Sequence, residues 1–118
     1  MAKWQFSEWL LFWLLETQYY QFEWDRGNQT KNKNKHGISI TDTEEVFRSG
    51  VALPLGIQIL PPTTEQRLGV VGPTFGGLLL QVVFVLRAGR VRVISARRAS
   101  RKERNHYEKI LRQITEGI

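Results

Sequence analysis

Between Leu78 and Leu86 every residue except Gln81 is apolar, and the run turns β-branched and aromatic at Val82, Val83, Phe84 and Val85. Such a segment reads as a central β-strand covered on both faces, which obliges the rest of the chain to supply cover on two sides. Arg87, Ala88 and Gly89 follow as a hairpin connection of three residues to a second strand, Arg90 to Ala96. Alternation there puts Arg90 and Arg92 on one face and Val91 and Val93 on the other. Ser100 and Glu103 then form a capping-box pattern ahead of a helix. Its apolar stripe is Tyr107, Ile110, Leu111 and Ile114, opposite Arg101, Arg104 and Glu108.

Upstream, Leu53 to Leu60 has strand character, and Pro54 places it on an edge. Arg67 to Val71 reads as a short strand, and the stretch from Gly72 to Gly77 as a turn or loop. Thr41 with Glu44 three residues on gives another capping-box pattern, with a short helix from Asp42 to Arg48. Trp9 to Leu15 is an unbroken apolar run between Glu8 and Glu16, far short of the roughly 20 residues that span a bilayer. Lys3 and this run lack a small-residue cleavage site, so no secretion signal is expected. A short helix that packs into the domain or covers a partner surface fits better. From Asp25 to Lys35 no core-facing period appears, and taken alone the stretch reads as a loop. The predicted order is helices, an antiparallel sheet, then a helix returning over it: an α+β architecture.

A length of 118 residues fits one domain, and 42% apolar with 11% aromatic residues suffices for one core. The absence of cysteine excludes disulfide scaffolds, thiolate zinc sites and thiol nucleophiles. Two histidines leave little scope for a transition-metal site, and no cofactor is expected. The net charge of +6 is uneven: residues 87–118 hold 10 basic and 3 acidic side chains, against 7 and 8 in the rest. Ten cations on neighbouring elements make a patch suited to a polyanion.

Phosphate-loop, dinucleotide, paired-histidine zinc and nucleophile-elbow motifs are all missing. What remains is a set of cations with a few proton-moving groups: His36, His106, Tyr107, Lys35, Glu23 and Asp25. That inventory matches metal-independent RNA cleavage. RNA carries its own nucleophile, so an enzyme need only deprotonate the 2′-hydroxyl, protonate the departing 5′-oxygen and hold the phosphorane between cations. Structural roles compete at each position. His36 also suits the last turn of a helix; Glu103 reads first as a capping residue; Tyr107 heads the apolar stripe, with its hydroxyl at the rim. His106 adjoins that stripe and is placed toward solvent. Arg97, at a strand-to-helix junction, is the cation best placed for a ligand.

Phe22-Glu23-Trp24-Asp25, Asn32, Lys35-His36-Gly37-Ile38-Ser39, Glu45-Val46-Phe47, Arg67 and Arg90 through Ala99, with Glu103-Arg104 and Tyr107-Glu108, resemble the BrnT toxins of type II toxin-antitoxin systems. The similarity runs from Phe22 to about Lys109. It divides the chain into residues 1–21, a Trp-rich, helical extension, and a toxin domain at 22–118. The resemblance implies a RelE-like fold and an endoribonuclease that arrests growth by cutting RNA and blocking translation. It also implies a BrnA-type antitoxin as partner, DNA contact only through that antitoxin, cytoplasmic action and no membrane. A helix from Asp25 to His36 replaces the loop reading. Carried over by position, Lys35, His36, Arg67, Arg97, Arg98, Glu103, Arg104 and Tyr107 become site candidates. We assign His36 to proton transfer and Arg67 and Arg97 to phosphate stabilisation. Lys35, Arg90, Arg92, Arg98, Arg101 and Arg104 are then RNA-binding, and Glu103 and Tyr107 supporting. Asn28 stands where the family usually has lysine, and Arg26 where proline is common. The competing readings are a non-catalytic basic module that binds nucleic acid through its tail third, and a peripheral membrane protein using the Trp-rich helix.

Overall fold

The computed structural model describes residues 2–25 and 37–116. The helix expected up to His36 lies outside the described residues from residue 26 on, as do Lys35 and His36 themselves. In chain order the elements are β1 (Lys3–Gln5), α1 (Glu8–Glu16), β2 (Phe22–Glu23), α2 (Ile40–Arg48), β3 (Leu53–Leu60), β4 (Leu68–Pro73), β5 (Leu79–Arg87), β6 (Arg90–Arg98) and α3 (Arg101–Glu116). The strands form one sheet in the order β1-β3-β4-β5-β6-β2.

The architecture is α+β, but the sheet is mixed and not antiparallel throughout. β2 runs parallel to β6, pairing Phe22 with Val91 and Glu23 with Arg92. These two strands are separated by most of the chain, so no tight turn dictates their relative direction. β5 is central and buried along most of its length, as its composition requires. Its hairpin to β6 is tighter than the sequence suggested: Arg87 pairs with Arg90, leaving Ala88 and Gly89 as a two-residue turn. Both have positive φ, 51° and 77°, as the type I′ turn favoured by strand twist demands.

β3 is not an edge strand, because β1 pairs along its far side at Ile57, Gln58 and Leu60. Pro54 lies beyond the three positions that pair with β1, and on its other side it is paired with Val70 of β4, next to a register shift. β4 continues to Pro73, and the turn is confined to the following residues, where Gly77 donates to the Thr74 carbonyl. The capping box of α2 is also displaced from its expected place. Ser39 is the N-cap: its hydroxyl accepts from the Asp42 N–H while the Asp42 carboxylate accepts from the Ser39 N–H. Glu44 instead accepts from the Trp24 indole and pairs with Arg48 one turn on.

The sheet carries a core on each face. On one, α1 and α2 pack Leu10, Leu14, Val46 and Phe47 against Leu68, Val70, Leu80, Val82, Phe84, Val91, Val93 and Ala96. An aromatic chain seals it: Phe84 lies 5.1 Å from Phe47, edge to face, and 5.8 Å from Trp13, stacked. On the opposite face, Tyr107, Ile110 and Leu111 of α3 cover Leu53, Leu55, Val71 and Leu79. α3 covers one end of this second face, and the rest is where polar residues gather.

Between Val83 and Phe84 the β5–β6 register slips: Phe84 pairs with Val93 and Val83 with Ser95, leaving Ile94 as a bulged extra residue. The bulge inverts the alternation read from Arg90 to Val93. Unbroken alternation would send Arg97 to the face of Val91 and Val93, inside the first core. With Ile94 inserted, Ala96 takes the core position at 0% exposure and Arg97 turns to the second face.

Leu10 is fully buried whereas Leu15, on the same helix, is 65% exposed. Leu10→Ala is expected to lower unfolding free energy by about 2–5 kcal/mol, and Leu15→Ala by less than about 0.5 kcal/mol, in urea titrations.

Candidate active site

The uncovered part of the second face is a cavity of about 770 Å³. Gln81 and Val83 of β5 with Ser95 and Arg97 of β6 line it from the sheet, Ser100, Lys102, Glu103 and His106 from the start of α3, and Trp4 of β1 from the far edge. Arg67, immediately before β4, enters from the side. Arg67, Arg97 and Lys102 stand here against one carboxylate, Glu103, so the cavity keeps a net positive lining.

Arg97 and Glu103 organise this space. The guanidinium donates through Nη1 and Nη2 to the two carboxylate oxygens, each at 2.9 Å, and Nη1 also reaches the Arg98 carbonyl at 2.9 Å. The carboxylate accepts two further bonds, from the Ser100 N–H at 2.8 Å and from the Gln81 side-chain amide at 2.7 Å. The Ser100 hydroxyl in turn accepts from the Glu103 N–H, completing the expected capping box. Burial pushes the Glu103 pKa up, but the hydrogen bonds from Arg97 and from the Ser100 N–H outweigh it and leave the carboxyl below its ordinary value. A carboxylate so held is ionised at neutral pH and a weak base. It serves to fix Arg97, and its oxygens are occupied by donors.

The remaining candidates are dispersed. Arg98 and Arg104 border a separate cleft of about 300 Å³, together with Tyr107 and Glu108. Tyr107 is buried, and its hydroxyl donates to the Val51 carbonyl at 2.7 Å, anchoring α3 to the segment that leads into β3. Burial raises its pKa. Arg92 is held in ion pairs with Glu23 at 3.3 Å and Asp25 at 3.0 Å, across the parallel β2–β6 pair. Arg90 and Arg101 are exposed and border neither cavity. Among the described residues, no three His, Cys, Asp or Glu side chains are placed to hold a metal ion. No described helix is long and apolar enough to cross a membrane.

Two groups in the cavity, Gln81 and Trp4, escaped sequence reasoning, and His106, named there as a proton-moving group, was placed toward solvent and given no site role. His106 had a detectable signal, since it stands three residues after Glu103 and therefore on the same face of a helix. Gln81 was visible as the lone polar residue of an apolar strand, but only pairing with β6 reveals its partner.

A family model described as the ribonuclease toxin BrnT of type II toxin-antitoxin systems matches residues 24–103. The chain belongs to the BrnT family. The 1.1 Å crystal structure of the Brucella abortus ribonuclease toxin BrnT is similar to it with a TM-score of 0.52 at 26% identity, covering 70% of this chain and 100% of the other. No curated protein matches the chain. Arg67, Gln81, Arg97 and Glu103 fall inside the stretch matched by the BrnT model, whereas Trp4 and His106 fall outside it.

Because the Glu103 pKa is lowered on folding, its contribution to stability is complete above the ordinary value of 4.5 and is lost as pH falls through the folded-state value below that. Glu103→Gln should therefore flatten the fall in melting temperature between about pH 5 and pH 3 relative to the parent protein. An unchanged profile in thermal melts would contradict the assignment of this carboxylate as an ionised anchor.

Proposed function

We propose that the cavity is the active site of a metal-independent endoribonuclease that cleaves by attack of the RNA 2′-hydroxyl on the adjacent phosphorus. The observation that carries this reading is the convergence of Arg67, Arg97 and His106 on one positively lined cavity. In-line attack forms a bond from the 2′-oxygen to phosphorus and breaks the bond to the 5′-oxygen, giving a 2′,3′-cyclic phosphate and a free 5′-hydroxyl. Charge accumulates on the non-bridging oxygens, where a guanidinium already held in place stabilises it with little reorganisation. Arg97, fixed by Glu103, has that property, and Arg67 faces the same space.

Two protons must move. Imidazole suits either transfer near neutral pH, and His106 stands in the cavity as one carrier; His36, assigned by the family resemblance, is the second. The oxygens of Glu103 are filled by Arg97, Ser100 and Gln81, which favours a site that works through cations of the protein. In this reading the fold is a RelE-like one, residues 1–21 are a segment added to a toxin domain at 22–118, and the enzyme acts in the cytoplasm to block translation. A BrnA-type antitoxin neutralises it and supplies any contact with DNA.

Incubating the protein with end-labelled RNA in EDTA tests the reading. Fragments ending in 2′,3′-cyclic or 3′-phosphate are expected, with Arg97→Ala slower by about 10²–10³-fold. Intact RNA with salt-dependent binding retained would overturn it in favour of a non-catalytic nucleic-acid-binding module.

A further inference from the structure

The cavity has one wall that the BrnT match does not include. β1 lies along β3, and Trp4 borders the same space as Arg67 and Arg97. Two glycines make room for it. At Gly56, where φ is +130°, a Cβ would collide with the Gln5 carbonyl, so this position admits the β1 backbone. At Gly69 a Cβ would come within 2.8 Å of Cη2 and Cζ3 of the Trp4 ring, so the indole rests on bare backbone. Both glycines lie inside the matched stretch, and both are shaped to the segment outside it. The indole is half-buried, with its benzo ring seated and the side chain bordering the cavity.

Single-stranded RNA is gripped by cations on its phosphates and by aromatic faces under its bases. The sheet side supplies the first of these through Arg67 and Arg97, and Trp4 is the aromatic group that lines the cavity with them. We propose that Trp4 is a base-stacking residue, and that β1 completes the active site with a subsite for a nucleobase next to the scissile phosphate. This rests on the ribonuclease reading of the cavity and assigns its substrate-binding wall. Stacking accepts any base because every base has a π-face, so the subsite favours strongly stacking purines without reading hydrogen-bond donors.

The test uses the full-length protein and a 2′-O-methyl RNA hexamer, which cannot be cleaved, carrying 2-aminopurine at successive positions. Quenching at one position is expected on binding. Trp4→Leu, which keeps apolar volume without a π-face, should abolish that quenching and weaken binding about tenfold. Trp4→Phe should retain both. Circular dichroism and an unchanged urea-unfolding midpoint confirm that each variant is folded. Equal affinity and quenching in Trp4→Leu and the parent, with cleavage of ordinary RNA intact, would overturn the stacking assignment and leave the ribonuclease reading standing. Failure of the parent protein to bind or cut any RNA would overturn both.

Discussion

The Arg97–Glu103 pair holds the cavity end of this protein together. One carboxylate accepts from a guanidinium on β6, an amide on β5 and the first turn of α3, so three elements are fixed to a single point. Removing either charged partner leaves the other half-buried and uncompensated, which costs more than the pair itself contributes. The arrangement also resolves a conflict inherent in basic sites. Several cations in one cavity repel each other and splay toward solvent, and a single shared anion restrains one of them while leaving the net charge positive.

That pair depends on an irregularity in the sheet. Arg97 reaches the second face only because Ile94 bulges out of the β5–β6 ladder. The same slip brings Ala96, small enough for the crowded centre, into the aromatic core beside Phe84. Core packing and site geometry are therefore coupled: without the slip Ser95 would face Val82 and Arg97 would face Leu80 on the side of the first core, whereas with it Ala96 faces Val82 and Arg97 turns to the cavity.

Much of this was legible in the sequence. The apolar run at Leu78–Leu86 required a strand covered on both faces, and Ser100 with Glu103 required a helix start, and both are present. Arg67, Arg97 and Glu103, singled out through resemblance and through position at an element junction, line one cavity. What was not legible shares one cause: it depends on pairing between distant segments. Periodicity within a strand reveals neither a bulge nor the neighbour on either side. Hence Pro54 suggested an edge while β1, fifty residues earlier, covered the strand's other half. Likewise Arg92 read as an RNA contact, and the parallel docking of β2 brings Glu23 and Asp25 to it.

The same reasoning bears on how the amino-terminal segment came to matter. A segment merely appended to a finished domain would lie on surfaces that tolerate ordinary side chains. Here Gly56 and Gly69 sit in interior strands, where glycine weakens pairing and forgoes side-chain packing. Leu10 and Leu14 complete the core that Phe47 and Phe84 begin. Strand, helix and cavity wall are thus built into the rest of the fold by residues that make sense only with them in place. The basic lining alone would attract any polyanion; the proposed nucleotide site rests on the fixed guanidinium at one side of the cavity and the seated indole at the other.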